Sequence, residues 1–152
     1  MPEKCDFVRC LMVDFSRAFN RVDHPTLLPK LDRLNLSPNA MNWIISFLTN
    51  RTQVVKATDQ LSLPQPINTS IVQGSGVGSM LYVIMESDLR TLLSHLLINC
   101  TNMQNLLVPQ NSDTCITSEF KHVKKWEVDN KMVINHEKKQ KKSFSEGRTS
   151  KL

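Results

Sequence analysis

Apolar and polar positions along this chain fall into blocks whose period changes. Phe7 to Val13 is a short apolar run with β-branched members that stops at Asp14, and it predicts a buried strand. From His24 the spacing becomes helical, with Leu27, Leu28, Leu31 and Leu34 on one face; Pro29, past the first turn, is expected to kink or delay that helix. Ser37-Pro38 has the form of an N-cap followed by proline at the first helical position, and Met41, Ile44, Ile45 and Leu48 carry the helix toward Asn50. Gln53 to Leu63 alternates loosely about Thr58-Asp59-Gln60 and predicts a hairpin that Pro64 and Pro66 end. Gln73 to Gly78 is a glycine-rich loop, and Met80 to Leu97 predicts a long apolar helix. Ile98 to Val108 predicts a second hairpin with Leu106-Leu107-Val108 as its buried arm. Ser112 or Asp113 then opens a helix with Ile116, Phe120, Val123 and Trp126 inward, and Lys131 to Asn135 predicts a last strand.

With the inserted helices and the first hairpin set aside, the order is β-α-β-β-α-β. This predicts an α+β fold, an antiparallel sheet backed by helices. The chain has 152 residues, 40% hydrophobic and 22% charged, which suits one packed domain over residues 1–135. Residues 136–152 are polar and basic and predict a disordered tail. The net charge of +5 is concentrated toward that end, in Lys121, Lys124, Lys125, Lys131, the run from Lys138 to Lys142, Arg148 and Lys151. A basic surplus suits a polyanionic partner, but a charged tail is first a solvated tail, and it holds no cluster of aromatic rings for stacking bases.

Cys5, Cys10, Cys100 and Cys115 show no CxxC pair and no matching histidine spacing, which argues against zinc and for buried reduced thiols. No apolar run approaches the roughly 20 residues that span a bilayer, so no membrane association is expected. The charged N-terminus lacks a secretory h-region, and an intracellular location, nucleus or cytoplasm, is expected. The closing Ser150-Lys151-Leu152 matches the peroxisomal address; an accidental stop of a reading frame is the competing explanation, and the favoured one.

Candidate chemistry sits at two places. Asp14 ends a buried strand, which fixes a carboxylate where the strand meets solvent. Such a group can bind Mg²⁺, a hard cation that prefers oxygen ligands, although an aspartate there is more often a turn former or cap. Phe19, five residues on, is expected near the same site. Gln73-Gly74-Ser75-Gly76 before a helix offers unhindered backbone N–H groups to a phosphate or a base pair, or else is a plain helix-entry turn.

Taken together, Val13-Asp14-Phe15-Ser16-Arg17-Ala18-Phe19, Leu27-Leu28-Pro29-Lys30-Leu31, Asn42 to Gln53, Gln73-Gly74-Ser75 with Met80-Leu81-Tyr82, Asn105-Leu106-Leu107-Val108, and Trp126 with Asn130 to Asn135 resemble the reverse transcriptase palm of non-LTR, long-interspersed-element retrotransposons. The resemblance covers about Val8 to Lys138. It implies a polymerase palm fold, RNA-directed DNA polymerase descent, Mg²⁺ as metal, RNA and DNA as partners, and no small-molecule cofactor. It implies that Asp14 is the first catalytic aspartate and a metal ligand, and that Phe19 is the steric gate under the incoming sugar. Gln73, Gly74 and Ser75 would line the template and nucleotide side, and Lys138 stands where the family has a lysine beyond the last palm strand.

The departures fall on the chemistry. The family reads Tyr-Ala-Asp-Asp where this chain reads Cys100-Thr101-Asn102-Met103, so Asn102 and Met103 occupy the positions of both missing aspartates. Asn20 replaces a further usual aspartate, and Ser79 a proline. Polymerisation by this family uses two metal ions about 4 Å apart. Asparagine offers them a neutral oxygen, and methionine a soft thioether that Mg²⁺ avoids. The residues therefore favour a pseudoenzyme, a degenerate palm with polymerase activity lost, and leave the question of an enzyme open. The alternatives are a polymerase completed by another chain, a repurposed nucleic-acid-binding palm and a protein-interaction module. Faces that would pack on fingers and thumb predict poor solubility of the isolated chain.

Overall fold

The computed structural model describes residues 7–92, 95–100, 103–109, 115–136 and 140–145. In chain order the elements are β1 (Phe7–Asp14), a 3-10 turn (Ala18–Arg21), α1 (His24–Asp32), α2 (Pro38–Leu48), β2 (Arg51–Gln53), β3 (Lys56–Ala57), β4 (Gln60–Leu61), β5 (Gln65–Ile67), α3 (Gly78–Glu86), β6 (Leu96–Cys100), β7 (Met103–Pro109), α4 (Ile116–Asp129) and β8 (Gln140–Ser145). The chain divides into two compact units, Met1–Ser16 with Leu89–Leu152, and Arg17–Asp88.

The first unit is a four-stranded sheet in the order β6-β7-β1-β8, with every neighbouring pair antiparallel. Strand β7 alternates half-buried and buried positions, so Gln104, Leu106 and Val108 point into the core. Their partners across the ladder, Val13, Leu11 and Arg9, share that face. Helix α4 buries Ile116, Val123 and Trp126, and the Trp126 ring meets Phe15 at 5.5 Å between centroids. Inside α4 the wholly buried Glu119 accepts hydrogen bonds from the Leu92 backbone N–H, at 3.1 Å to both carboxylate oxygens, and from His95 Nδ1 at 2.8 Å. That carboxylate ties the segment before β6 to the helix.

The second unit gathers α1, α2 and α3. Asp23 caps α1, accepting from the Thr26 N–H at 3.0 Å and its hydroxyl at 2.6 Å. The segment Asn68–Ile71 is bound back onto Phe19–His24 by the bonds Ile71 N to Phe19 O (3.0 Å), Ser70 N to Val22 O (2.9 Å) and His24 N to Asn68 O (2.9 Å). Ser37 caps α2 as expected, accepting from the Ala40 N–H at 3.3 Å, and Ile44 and Leu48 form its buried face.

Several expectations need correction. Leu34 lies beyond the end of α1 and is 46% exposed, because the chain turns away at Asn35, whose φ is +49°. Pro66 does not end the hairpin; it sits within β5 opposite Thr52, on an exposed two-stranded ladder that needs no donor from it. The long helix from Met80 to Leu97 stops at Glu86. The Met85 carbonyl, which a continuing helix would bond to Leu89, is instead taken by Lys30 Nζ at 2.5 Å, and Leu96 opens β6. Lys131–Asn135 forms a single bridge, Ile134 to Phe15, rather than a strand. The last strand is β8, within the segment expected to be a disordered tail; it adds to the free edge of β1 by backbone pairing. Cys10 is buried as expected, whereas Cys115 is exposed at the start of α4, and bonding from the Thr117 backbone N–H lowers its thiol pKa. Ser112 and Asp113 lie outside the described residues. Among the described residues no helix is long and apolar enough to cross a membrane.

Candidate functional site

In the first unit, β1 carries Asp14 to the end of the sheet. The ladder sets Asp14 directly opposite Met103, the first residue of β7. Opposed residues in an antiparallel pair point to the same face. The Asp14 carboxylate is 8% exposed, and its Oδ2 accepts from Asn135 Nδ2 at 3.2 Å. The Asn135 backbone N–H donates to the Asp14 carbonyl at 2.7 Å, and Ser16 N donates to the Val133 carbonyl at 2.7 Å. The segment after α4 thus holds the aspartate from the side away from β7. One residue further along β7, Gln104 is 1% exposed, and neither atom of its side-chain amide has a hydrogen-bond partner among the described residues. Asn102 and Lys138 lie outside the described residues.

In the second unit, Phe19 sits in the 3-10 turn that Arg17 enters with φ +49°. Its ring stacks on Tyr82 of α3, with centroids 4.8 Å apart and planes 25° from parallel. Tyr82 is fully buried and donates its hydroxyl hydrogen to the carboxylate of buried Glu86, one turn along the same helix. The loop before α3 exposes Gln73 and Gly74, the latter at φ +86°, a backbone state that suits glycine. Ser75 is committed locally: its hydroxyl donates to the Val72 carbonyl at 2.7 Å and accepts from the Gly78 N–H at 3.0 Å. Gly78 is where this turn closes, since a Cβ there would meet the Val72 carbonyl oxygen at 2.6 Å. Lys30 of α1 reaches the end of α3, bonding the Met85 carbonyl and Asp88 Oδ1 at 2.6 Å. Burial pulls its pKa below the usual lysine value, against the opposing effect of Asp88.

Of the residues marked in the sequence, Asp14 and Met103 are brought together, and Phe19 is joined to Tyr82. Sequence reasoning missed three contributors: the Asn135 side chain on Asp14, the ring under Phe19, and the unpartnered amide of Gln104. Only the alternation of β7 could have placed Gln104 inward.

No protein-family profile matches the chain. Curated relatives do. It is 32% identical over 112 residues to the RNA-directed DNA polymerase from mobile element jockey of Drosophila melanogaster, covering 73% of this chain and 12% of that protein. The chain belongs to the reverse transcriptases of non-LTR retrotransposons. The probable RNA-directed DNA polymerase from transposon BS of Drosophila melanogaster is 29% identical over 84 residues, 55% of this chain and 9% of that protein. The jockey polymerase of Drosophila funebris is 37% identical over 87 residues, 57% of this chain and 9% of that one. The chain therefore spans about a tenth of the length of these relatives. In fold it is similar to apo telomerase from Candida tropicalis truncated from its C-terminal domain, with a TM-score of 0.68 and 17% identity over 99% of this chain and 33% of that chain. This likeness supports the α+β, palm-like architecture expected from the sequence.

A reverse transcriptase palm implies a pair of divalent cations at the end of β1. The donors found there do not fit one. Asp14 supplies a carboxylate already bonded to Asn135, and the facing Met103 supplies a thioether, a poor ligand for Mg²⁺. Among the described residues no group of three His, Cys, Asp or Glu side chains stands close enough to hold a metal ion.

Proposed function

We propose that this chain is a reverse transcriptase palm that no longer carries out nucleotidyl transfer. The observation that carries the reading is the pairing of Asp14 with Met103. Where two metal ions would need acids on both strands, one side is a thioether. In-line transfer depends on cations clamping the attacking and leaving oxygens, and a single carboxylate can neither neutralise nor space them. A second chain supplying fingers and thumb leaves that shortage unchanged, because the deficit lies in residues of this palm. The partners of such a remnant are RNA and DNA rather than a small-molecule cofactor. Phe19 on its Tyr82 support, with the exposed Gln73-Gly74 tip, is the part of the nucleotide side that persists.

The test is a calorimetric titration of the full chain with Mg²⁺ and Mn²⁺, alongside primer extension on an RNA template. We expect no paired-metal isotherm and no extension. Extension by the native chain that disappears in Asp14→Ala would overturn the proposal.

A further inference from the structure

Helix α2 buries Ile44 and Leu48 and turns a different set of side chains outward. Trp43 is 54% exposed. One turn on, Phe47 lies nearly parallel to it, with planes at 14° and centroids 5.7 Å apart. One turn further, at the start of β2, the Arg51 guanidinium lies over the Phe47 ring, 5.2 Å from its centroid. Three planar groups at four-residue intervals thus form one column, open at Trp43 and closed by a cation at Arg51.

The surroundings favour one class of ligand. Between Asp32 and Asp59 the chain carries Arg33, Arg51 and Lys56 and no further acidic residue, so the helix and the strand that hold the column have a modest positive surplus that suits a polyanion. Of the positions one turn from the ring pair, Asn39, Ser46 and Asn50 are exposed, small and polar, and Ala40 is exposed and apolar. The amides and the hydroxyl there can hydrogen-bond base edges and phosphates. Every base offers a π face to an exposed indole, and arginine adds a cation–π contact and a phosphate bond.

We propose that the Trp43–Phe47–Arg51 column is a stacking platform for single-stranded nucleic acid, with a base on Trp43 and a phosphate at Arg51. The column uses none of the residues at the end of β1 and does not depend on whether the chain polymerises. Phe47 acts as a spacer that holds the indole and guanidinium in register.

The chain has two tryptophans, and Trp126 is buried. Trp126→Phe therefore leaves Trp43 as the sole tryptophan of the full chain, read by excitation beyond the absorption band of Tyr82. Short oligothymidylate and oligouridylate should each quench it saturably at low salt, and a blunt duplex should compete poorly. Trp43→Leu, followed by anisotropy of a labelled oligonucleotide, should weaken binding about tenfold. Arg51→Met should reduce the slope of log affinity against log salt by about 0.7. Trp43 and Arg51 are exposed, so both variants should melt like the native chain, and a melting curve verifies this. Absence of quenching at low salt, equal binding of duplex, or native affinity in folded Trp43→Leu would each overturn the proposal. So would quenching by an unrelated acidic peptide as strong as that by the oligonucleotides.

Discussion

Restoring one acid to the end of β1 makes the electrostatic reasoning measurable. Asp14 and Met103 face each other across the β1–β7 ladder. Directly opposed residues place their Cβ atoms about 4.5–5.5 Å apart. Met103→Asp therefore sets two carboxylates at roughly 5 Å, where an effective dielectric of about 20 gives a repulsion of about 3 kcal/mol. Met103 is only half-buried, and solvent on its side reduces the expected cost at neutral pH to about 1–2 kcal/mol. Two like charges this close disfavour double ionisation, so the folded variant holds a proton up to a higher pH than its unfolded chain does. In the window between the two, the folded chain holds more protons than the unfolded one, so the variant loses stability as pH rises. Its melting temperature should approach that of the native chain near pH 3.5 and fall behind it by about 3–8 °C at pH 7. Millimolar Mn²⁺ at pH 7 should close most of that gap. It should do nothing for the native chain or for Met103→Asp combined with Asp14→Asn. Differential scanning calorimetry across pH, with and without Mn²⁺, is the assay. A variant that melts in parallel with the native chain at every pH and ignores Mn²⁺ would refute the reasoning, because the two side chains would then not share a face.

Three further outcomes are expected. Burial lowers the Lys30 pKa from 10.5, so between the lowered value and 10.5 the unfolded chain binds more protons; native stability should rise with pH across that window, and urea melts of Lys30→Met should lack this rise. Gly78→Ala drives a Cβ against the Val72 carbonyl, a backbone atom that cannot rotate aside, and should cost about 1–3 kcal/mol, while Gly76→Ala, with open space around it, should be close to neutral in the same denaturant titration. Glu119→Leu removes the wholly buried acceptor of the part-buried Leu92 N–H and His95 Nδ1 bonds and should cost about 1–3 kcal/mol; Glu119→Gln keeps one acceptor and should cost less than half of that, as chemical denaturation would read.

What was legible in the sequence was what local chemistry decides. The strand ending at Asp14 follows from an apolar run, and α2 follows from Ser37-Pro38, whose cap bond forms three residues away. The limit of α3 was hidden because the group that ends it, Lys30, lies 55 residues upstream of Met85. Strand β8 was hidden for a different reason. Gln140-Lys141-Lys142-Ser143-Phe144-Ser145 has no apolar alternation, and it becomes a strand through backbone groups that the edge of β1 leaves unpaired. At the site, Asp14 and Met103 could be marked one by one, but their opposition depends on a register set along the whole ladder from Val8 to Pro109. The Asn135 contact spans 121 residues and exists only because Ile134 bridges to Phe15.

That contact also bears on why a palm without its acids keeps its fold. Acids crowded at the end of one sheet repel each other, and a polymerase tolerates the repulsion because cations neutralise it when substrate arrives. With methionine facing Asp14, the repulsion at this pair is gone, and the remaining carboxylate is held by a neutral amide donor from Asn135. On the proposed reading, the exchange that costs paired metal binding also relaxes the metal-free sheet, which is the direction expected when catalytic strain is given up. Gln104 points the other way. Its buried amide, with neither atom hydrogen-bonded, weakens the sheet one residue from the site. At this end of β7 a gain at position 103 is thus set against a cost at 104. Comparing the native chain with Gln104→Leu separates the two: an apolar side chain of similar volume on that inward face should stabilise the sheet without altering the response of Met103→Asp to Mn²⁺.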